Sequence, residues 1–190
     1  MFKLYLNHLK TISKHKYYVA KFCFKCGFYW RGITHDLSKY GITEFCSSAK
    51  YFSGKRSPID AEKDATGYSI AWQHHKGHNP HHWEYWIDNI GTKENKPIKI
   101  PYKYVVEMIC DWLGAGIVYS KQQVNFDKPY AEPLEYYNKH LKERIFHEET
   151  QKLIEYYLHI IKEEGINAFC EEVKGDWHLK RCDYEGEYLP

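Results

Sequence analysis

The sequence contains no long hydrophobic run, and no stretch approaches the roughly 20 apolar residues that a membrane span needs. The opening segment MFKLYLNHLKTISKHKYY carries charges and histidines every few residues, so it lacks the unbroken apolar core of a signal peptide. Charge of one sign is missing too. Lys plus Arg number 27 against 25 Asp plus Glu, a formal net charge of +2, which argues against a nucleic-acid coat or a polybasic membrane anchor. There is no convincing β-alternation, internal repeat or low-complexity tract. The six cysteines lack a paired framework. Only Cys23 and Cys26 form a C-x-x-C, and no second pair accompanies them, so they are expected to line one face of a helix as reduced thiols of a cytoplasmic protein.

Those absences leave one globular unit: 190 residues, 43% hydrophobic, 27% charged and 17% aromatic. The apolar residues recur at helical spacing. Leu4 to Cys26 reads as a first helix stopped by Gly27, Phe28 to Tyr40 as a second ending at Gly41, and Glu44 to Tyr51 as a third capped by Thr43. A fourth is expected from about Asp60 to His75, and a short one over His81 to Asp88 behind Asn79-Pro80. Pro101 opens a strongly apolar helix, YKYVVEMICDWLGAGIVYS. Helices around Pro133 to Lys142 and Glu148 to Lys162 follow. The expected architecture is all-α, one domain over residues 1–165 with an irregular tail over 166–190 packed on it.

The unusual abundance is histidine. Of twelve, six (His35, His74, His75, His78, His81 and His82) fall within 48 residues. The segment HHKGHNPHHWEYW sets imidazoles on both sides of one tight turn. His78, in mid-turn, reads as a solvated loop residue; two or three of His74, His75, His81 and His82 read as metal ligands and the rest as their supports. Asp111 lies in a helix apolar on nearly every face, where an ionised carboxylate needs a partner, either a salt bridge or a cation. His15 stands seven residues after His8, on nearly the same helix face. His35 and Asp36 close the run FYWRGIT. A donor set mixing imidazole and carboxylate suits Mn, Fe, Co, Ni or Zn rather than Ca. One or two such ions would bind phosphate and activate water.

The order His15, His35-Asp36, the histidine pairs and Asp111 resembles the HD-domain superfamily of metal-dependent phosphohydrolases. Two local matches carry the resemblance further: HKYYVA, with Val-Ala three residues after the first His, and HDLSK, similar to that family's His-Asp-x-x-Lys run. The resemblance implies an HD-like helical bundle with a central metal site. It implies His15, His35, Asp36 and Asp111 as ligands, further histidines among 74 to 82 for a second ion, and Lys39 beside a substrate phosphate. The spacing from His15 to His35 is shorter than usual in that superfamily, and the GYP signature of its cyclic-dinucleotide phosphodiesterases is absent. The wider pattern, HKYYV, YWRGITHDLSKY, EFCSSAKYF, HHKGHNPHHWEYW and PYKYVVEMICDW, also resembles an uncharacterised bacterial and phage family.

The expected function is therefore phosphoester hydrolysis on a small phosphorylated substrate, a nucleotide, with Asp36 orienting the nucleophile and Arg31, Lys39 and Lys76 as phosphate contacts. Two alternatives use the same ligands: an HD-type di-iron oxygenase, and a non-catalytic metal- or nucleotide-binding protein. Tyr29, Trp30, Trp83, Tyr85 and Trp86 flank the ligands and are candidates to stack a nucleobase, with bulk for helix packing as the plainer reading. His147 is a further, weaker candidate. The pattern carries no membrane signal and no strong nucleic-acid signal, and none for an oligomeric state.

Overall fold

The structure is a computed structural model that describes residues 2–89, 91, 94–119 and 123–176. Its frame is a crossed pair of long helices, α1 (Phe2–Lys25) and α6 (Tyr102–Tyr119). Each buries an apolar stripe: Val19, Phe22 and Cys23 from α1, and Val105, Val106, Ile109, Cys110 and Leu113 from α6. Their approach is unusually close. A Cβ on Gly114 would lie 2.6 Å from Val19 Cγ2 and 3.5 Å from His15 Cε1, so glycine here lets the helices meet where His15 must reach across to α6.

Two groups of helices flank this pair. On one side lie α2 (Tyr29–Thr34), α3 (Ile42–Tyr51), α4 (Pro58–Thr66) and α5 (Ile70–His78). On the other, α7 (Glu132–His140), α8 (Glu148–Glu163) and α9 (Ile166–Gly175) close the apolar core with Leu153, Ile154, Leu158, Phe169 and Val173. Among the described residues, strand is confined to the short antiparallel pair β1 (Ile87–Asp88) and β2 (Lys96–Pro97). The chain is all-α, built as one domain, and among the described residues no helix is long and apolar enough to cross a membrane.

Several expected boundaries move. The second helix does not continue to Tyr40: it ends at Thr34, and after His35-Asp36 the chain resumes as a 3₁₀ turn over Leu37–Tyr40. Gly41, with no side-chain cap bond, precedes α3, so Thr43 is not its cap. The expected fourth helix is two. Gly67, at φ 82°, ends α4, and Ser69 starts α5 by accepting from the Trp72 amide at 3.0 Å. The expected helix over His81 to Asp88 is only a 3₁₀ turn, Trp83–Trp86, running into β1. The helical body extends beyond 165, because Ile166, Phe169, Cys170 and Val173 bury a regular stripe of α9 where a tail was expected. Residues 177–190 of that tail lie outside the described residues. Cys23, Cys26, Cys110 and Cys170 are buried in the core; Cys23 lies on α1 and Cys26 just past its end, so the C-x-x-C does not line a single helix face.

Candidate metal centre

The helix break at His35-Asp36 creates the site. Asp36 has φ 52° and ψ 29°, the only positive φ of a non-glycine residue among those described. Such a conformation costs of order 1 kcal/mol or more and persists where the surroundings enforce it. Here Lys16 does so: its Nζ donates to the carbonyls of Ile33 at 2.8 Å and His35 at 2.6 Å, capping the end of α2. On a continuous helix, adjacent side chains diverge by about 100°. The break lets His35 and Asp36 turn inward together.

Asp36 is buried between two groups of donors, one facing each carboxylate oxygen. Oδ2 lies 3.2 Å from His35 Nε2 and 3.8 Å from His15 Nε2, and Asp111 Oδ1 completes that group at 2.9 Å from His15 Nε2 and 3.4 Å from His35 Nε2. Oδ1 lies 3.3 Å from His75 Nε2 and 3.5 Å from His81 Nε2, and His82 Nε2 joins this second group 2.9 Å from His75 Nε2. Each set of four, His15, His35, Asp36 and Asp111 or Asp36, His75, His81 and His82, has its ligand atoms within 4.8 Å of one another. Asp36 Oδ1, His35 Nε2 and His81 Nε2 are buried without a hydrogen-bond partner, while Asp111 faces His15 Nε2 and Lys39 faces Asp36 Oδ2. An unsatisfied buried polar atom costs about 1–3 kcal/mol. Three such atoms, converging on one spot among imidazoles and carboxylates, fit a site shaped for cations.

A second layer holds the imidazoles in place. Glu107, one helical turn before Asp111 on α6, accepts from His35 Nδ1 at 3.0 Å and lies 3.4 Å from His81 Nδ1. Glu44 of α3 accepts from His75 Nδ1 and from His74 Nδ1, each at 2.7 Å. Carboxylates on Nδ1 leave the Nε2 lone pairs aimed inward, the usual support of metal-binding histidine. Asn79 ties the turn to the rest, its Nδ2 donating to the His75 carbonyl and to Ser38 Oγ, both at 2.8 Å. Trp86 Nε1 anchors the far side of that turn on the Pro80 carbonyl at 2.6 Å.

The electrostatics point the same way. Burial pushes the Asp36 and Asp111 carboxyls up, but the histidines around them, and Lys39 at Asp36, carry both well below the usual carboxylate range. Burial also raises Glu107, yet hydrogen bonds from His35 and His81 bring it down to about 2. At His35 burial favours the neutral ring, and Asp36, Asp111 and Glu107 outweigh it and hold a proton there. A divalent cation would take over that proton's part in balancing the carboxylates.

The remaining expected residues divide. Lys39 reaches the cluster, its Nζ 2.5 Å from Asp36 Oδ2, and lines a cleft of about 720 Å³ whose wall also includes His15, His81, His82 and Asp111. Asp36 and Asp111 keep its ammonium charged despite burial. Arg31 stays outside the cleft: it faces Glu107 at 3.5 Å and lies over the Tyr104 ring, which makes it a brace behind His35 rather than a phosphate contact. Lys76 does not line the cleft either. His74 is held by Glu44 and stacked on His78, away from the donor groups, and His78 Nδ1 donates to the His74 carbonyl. His147 is the cap of α8, accepting from the Glu149 amide at 3.3 Å. Of the five flanking aromatics only Trp83 lines the cleft; Tyr29, Trp30 and Tyr85 are exposed and Trp86 is in the core.

Sequence reasoning missed Glu107 and Glu44. Glu107 was findable, because the argument that singles out Asp111 on an apolar helix applies equally one turn earlier on the same face. Glu44 carries no such mark, since its helix is polar enough to accept an acid anywhere. No curated protein and no solved structure matches the chain. Residues 4–160 match the family described as "Family of unknown function (DUF5662)", a span that includes every residue of both donor groups. The chain belongs to that family.

Proposed function

We propose that this protein is a metal-dependent phosphohydrolase of the HD type, cleaving a phosphoester of a small substrate, a nucleotide, at a two-ion site. The observation that carries the reading is Asp36, whose two oxygens each face a separate group of three further donors, so one carboxylate spans both groups. Divalent ions at such a site would lower the pKa of a bound water and neutralise phosphate charge. The protein's own part is positional. Glu107 and Glu44 fix the imidazole tautomers, and Lys39 offers a cation at the junction of Asp36 and the cleft, where a phosphate oxygen would lie. The open cleft on His15, His81, His82 and Asp111 supports catalysis over a purely structural role, since structural sites are closed to solvent.

Elemental analysis of the parent beside Asp36→Ala and Asp111→Ala tests the proposal, together with phosphate release from nucleoside monophosphates supplied with Mn, Co, Ni or Fe. The expected result is close to two ions per chain in the parent. Asp36→Ala should lose both ions and phosphate release should fall at least about 10³-fold, the scale of removing a principal electrostatic stabiliser. Asp111→Ala should lose the first ion. A parent that takes up no metal after reconstitution would overturn the proposal, as would an Asp36→Ala protein that keeps metal and still cleaves. Oxygen consumption without phosphate release, in iron-loaded protein, would overturn it in favour of a di-iron oxygenase.

A further inference from the structure

Beyond the metal donors, the cleft has a second end. His82, Trp83 and Glu84 are consecutive, as are Asp111 and Trp112, so the next residues along both segments carry the cleft wall away from the donor groups. There the wall is aromatic, with Trp83, Trp112 and Tyr136. Two of its polar atoms stand out. Glu84 Oε2 and Arg144 Nη1 are both buried and both without a hydrogen-bond partner. Arg144 packs on aromatic rings, its guanidinium carbon 4.7 Å from the Trp112 ring centroid and 5.1 Å from that of Tyr136. A desolvated guanidinium edge and a desolvated carboxylate oxygen, each left open, call for a ligand that supplies an acceptor and a donor together.

Resting on the nucleotide reading above, we infer that this end of the cleft holds a guanine base, with Glu84 accepting from its N1–H and N2–H groups, Arg144, itself backed by Trp112 and Tyr136, donating to its O6, and Trp83 in the wall beside it. The order of groups on the base favours guanine. Its edge runs acceptor, donor, donor, which matches a guanidinium beside a carboxylate. Adenine sets its N1 lone pair where guanine has a donor, against the carboxylate. Hypoxanthine keeps O6 and N1–H and lacks the second donor. A cleft of about 720 Å³ has room for a nucleoside monophosphate.

The test uses nucleosides, which carry no phosphate and therefore need no metal. Quenching of tryptophan fluorescence in the full-length, metal-free protein would be titrated with guanosine, inosine and adenosine. Guanosine should bind about tenfold more tightly than inosine, which lacks N2–H, and about a thousandfold more tightly than adenosine, which also reverses the contacts at N1 and position 6, one tenfold step for each lost or reversed contact. Glu84→Gln should bring guanosine and inosine within about threefold of one another while Arg144 still disfavours adenosine, and Arg144→Met should weaken guanosine and inosine alike by about tenfold. Circular dichroism would confirm that both variants fold. Equal binding of the three nucleosides by the parent, or no binding at millimolar concentration, would overturn the inference, as would an undiminished guanosine preference in Glu84→Gln. Because metal content and phosphate release are not read here, its failure is separate from failure of the phosphohydrolase reading.

Discussion

Helix α6 has two interiors on its two sides, and they follow opposite rules. Toward α8 and α9 it meets Leu153, Ile154 and Leu158, and buried polar groups packed among them are paired: Tyr102 with Tyr157 at 2.7 Å, Tyr157 with Asp176 at 2.6 Å, and Thr150 with the Ile100 amide at 3.1 Å. Toward α1, α2 and α5 the same helix offers Glu107 and Asp111 to a cluster whose inward atoms lack partners. The first side obeys the rule that buried polar groups are satisfied. The second breaks it most densely around Asp36, a residue in a strained backbone conformation. The lesson is a division of labour: the C-terminal half supplies cohesion, and the N-terminal half keeps unsatisfied donors that lower stability unless a cation fills them.

Two substitutions sharpen that contrast, each aimed at one side. Leu158→Ala empties a fully buried position on the apolar side. It should cost about 2–5 kcal/mol of unfolding free energy in urea titrations while metal content per folded chain stays at the parental value. A loss of metal in the folded variant would show that the two sides are coupled. Glu107→Gln reverses the pattern. It keeps the shape and an acceptor oxygen but removes the charge that holds His35 and faces His81, one histidine from each donor group. Metal affinity should drop about 10–100-fold in competition with a chelator. Glu44→Gln should weaken only the group containing His75, so an equal effect on both ions would break the assignment of the donors to two groups.

The same division governs what was readable in the sequence. The long helices were legible because their apolar stripes repeat at helical spacing, and α1 and α6 stand close to their expected spans. The donor residues were legible for the opposite reason: His35, Asp36 and Asp111 are chemically out of place at apolar segments, His15 stood out through the HKYYVA pattern, and the structure brings them together with three of the four paired histidines. The turns that aim them were not. No propensity announces that Asp36 adopts a left-handed conformation, because Lys16, on another helix, pulls the preceding carbonyls into place. Which member of each histidine pair turns inward depends on Glu44, which draws His75 and His74 to the same carboxylate but leaves His74 on the outer side, 34% exposed. The expected tail failed on amphipathic spacing: Ile166, Phe169, Cys170 and Val173 carry the helical period, and their only competing signal is Gly165, whose φ of 106° makes it a hinge into α9 rather than the end of the fold.

His8 tests the contrast most finely, because it lies on the donor side yet belongs to neither donor group. It is buried between Phe45 and Phe52, with ring centroids 5.3 and 5.2 Å away, and its Nδ1 has no hydrogen-bond partner. Burial first, and the Lys39 charge second, bring its pKa down from 6.5 to about 4. The folded chain therefore keeps this ring neutral until about pH 4, whereas the unfolded chain protonates it below about 6.5. The stability it contributes is whole above pH 6.5 and is lost as the pH falls from there toward 4, since only the unfolded state takes up the proton. His8→Phe removes that proton from the balance and keeps an aromatic ring between Phe45 and Phe52. Urea unfolding of metal-free protein should give a constant offset between parent and variant above pH 7. Between pH 6.5 and 4 the parent should lose stability faster, by up to about 1.4 kcal/mol per pH unit. Curves that stay parallel down to pH 4 would mean that His8 is protonated in the folded chain, and that the polar, cation-seeking interior extends beyond the two donor groups to the far end of α1.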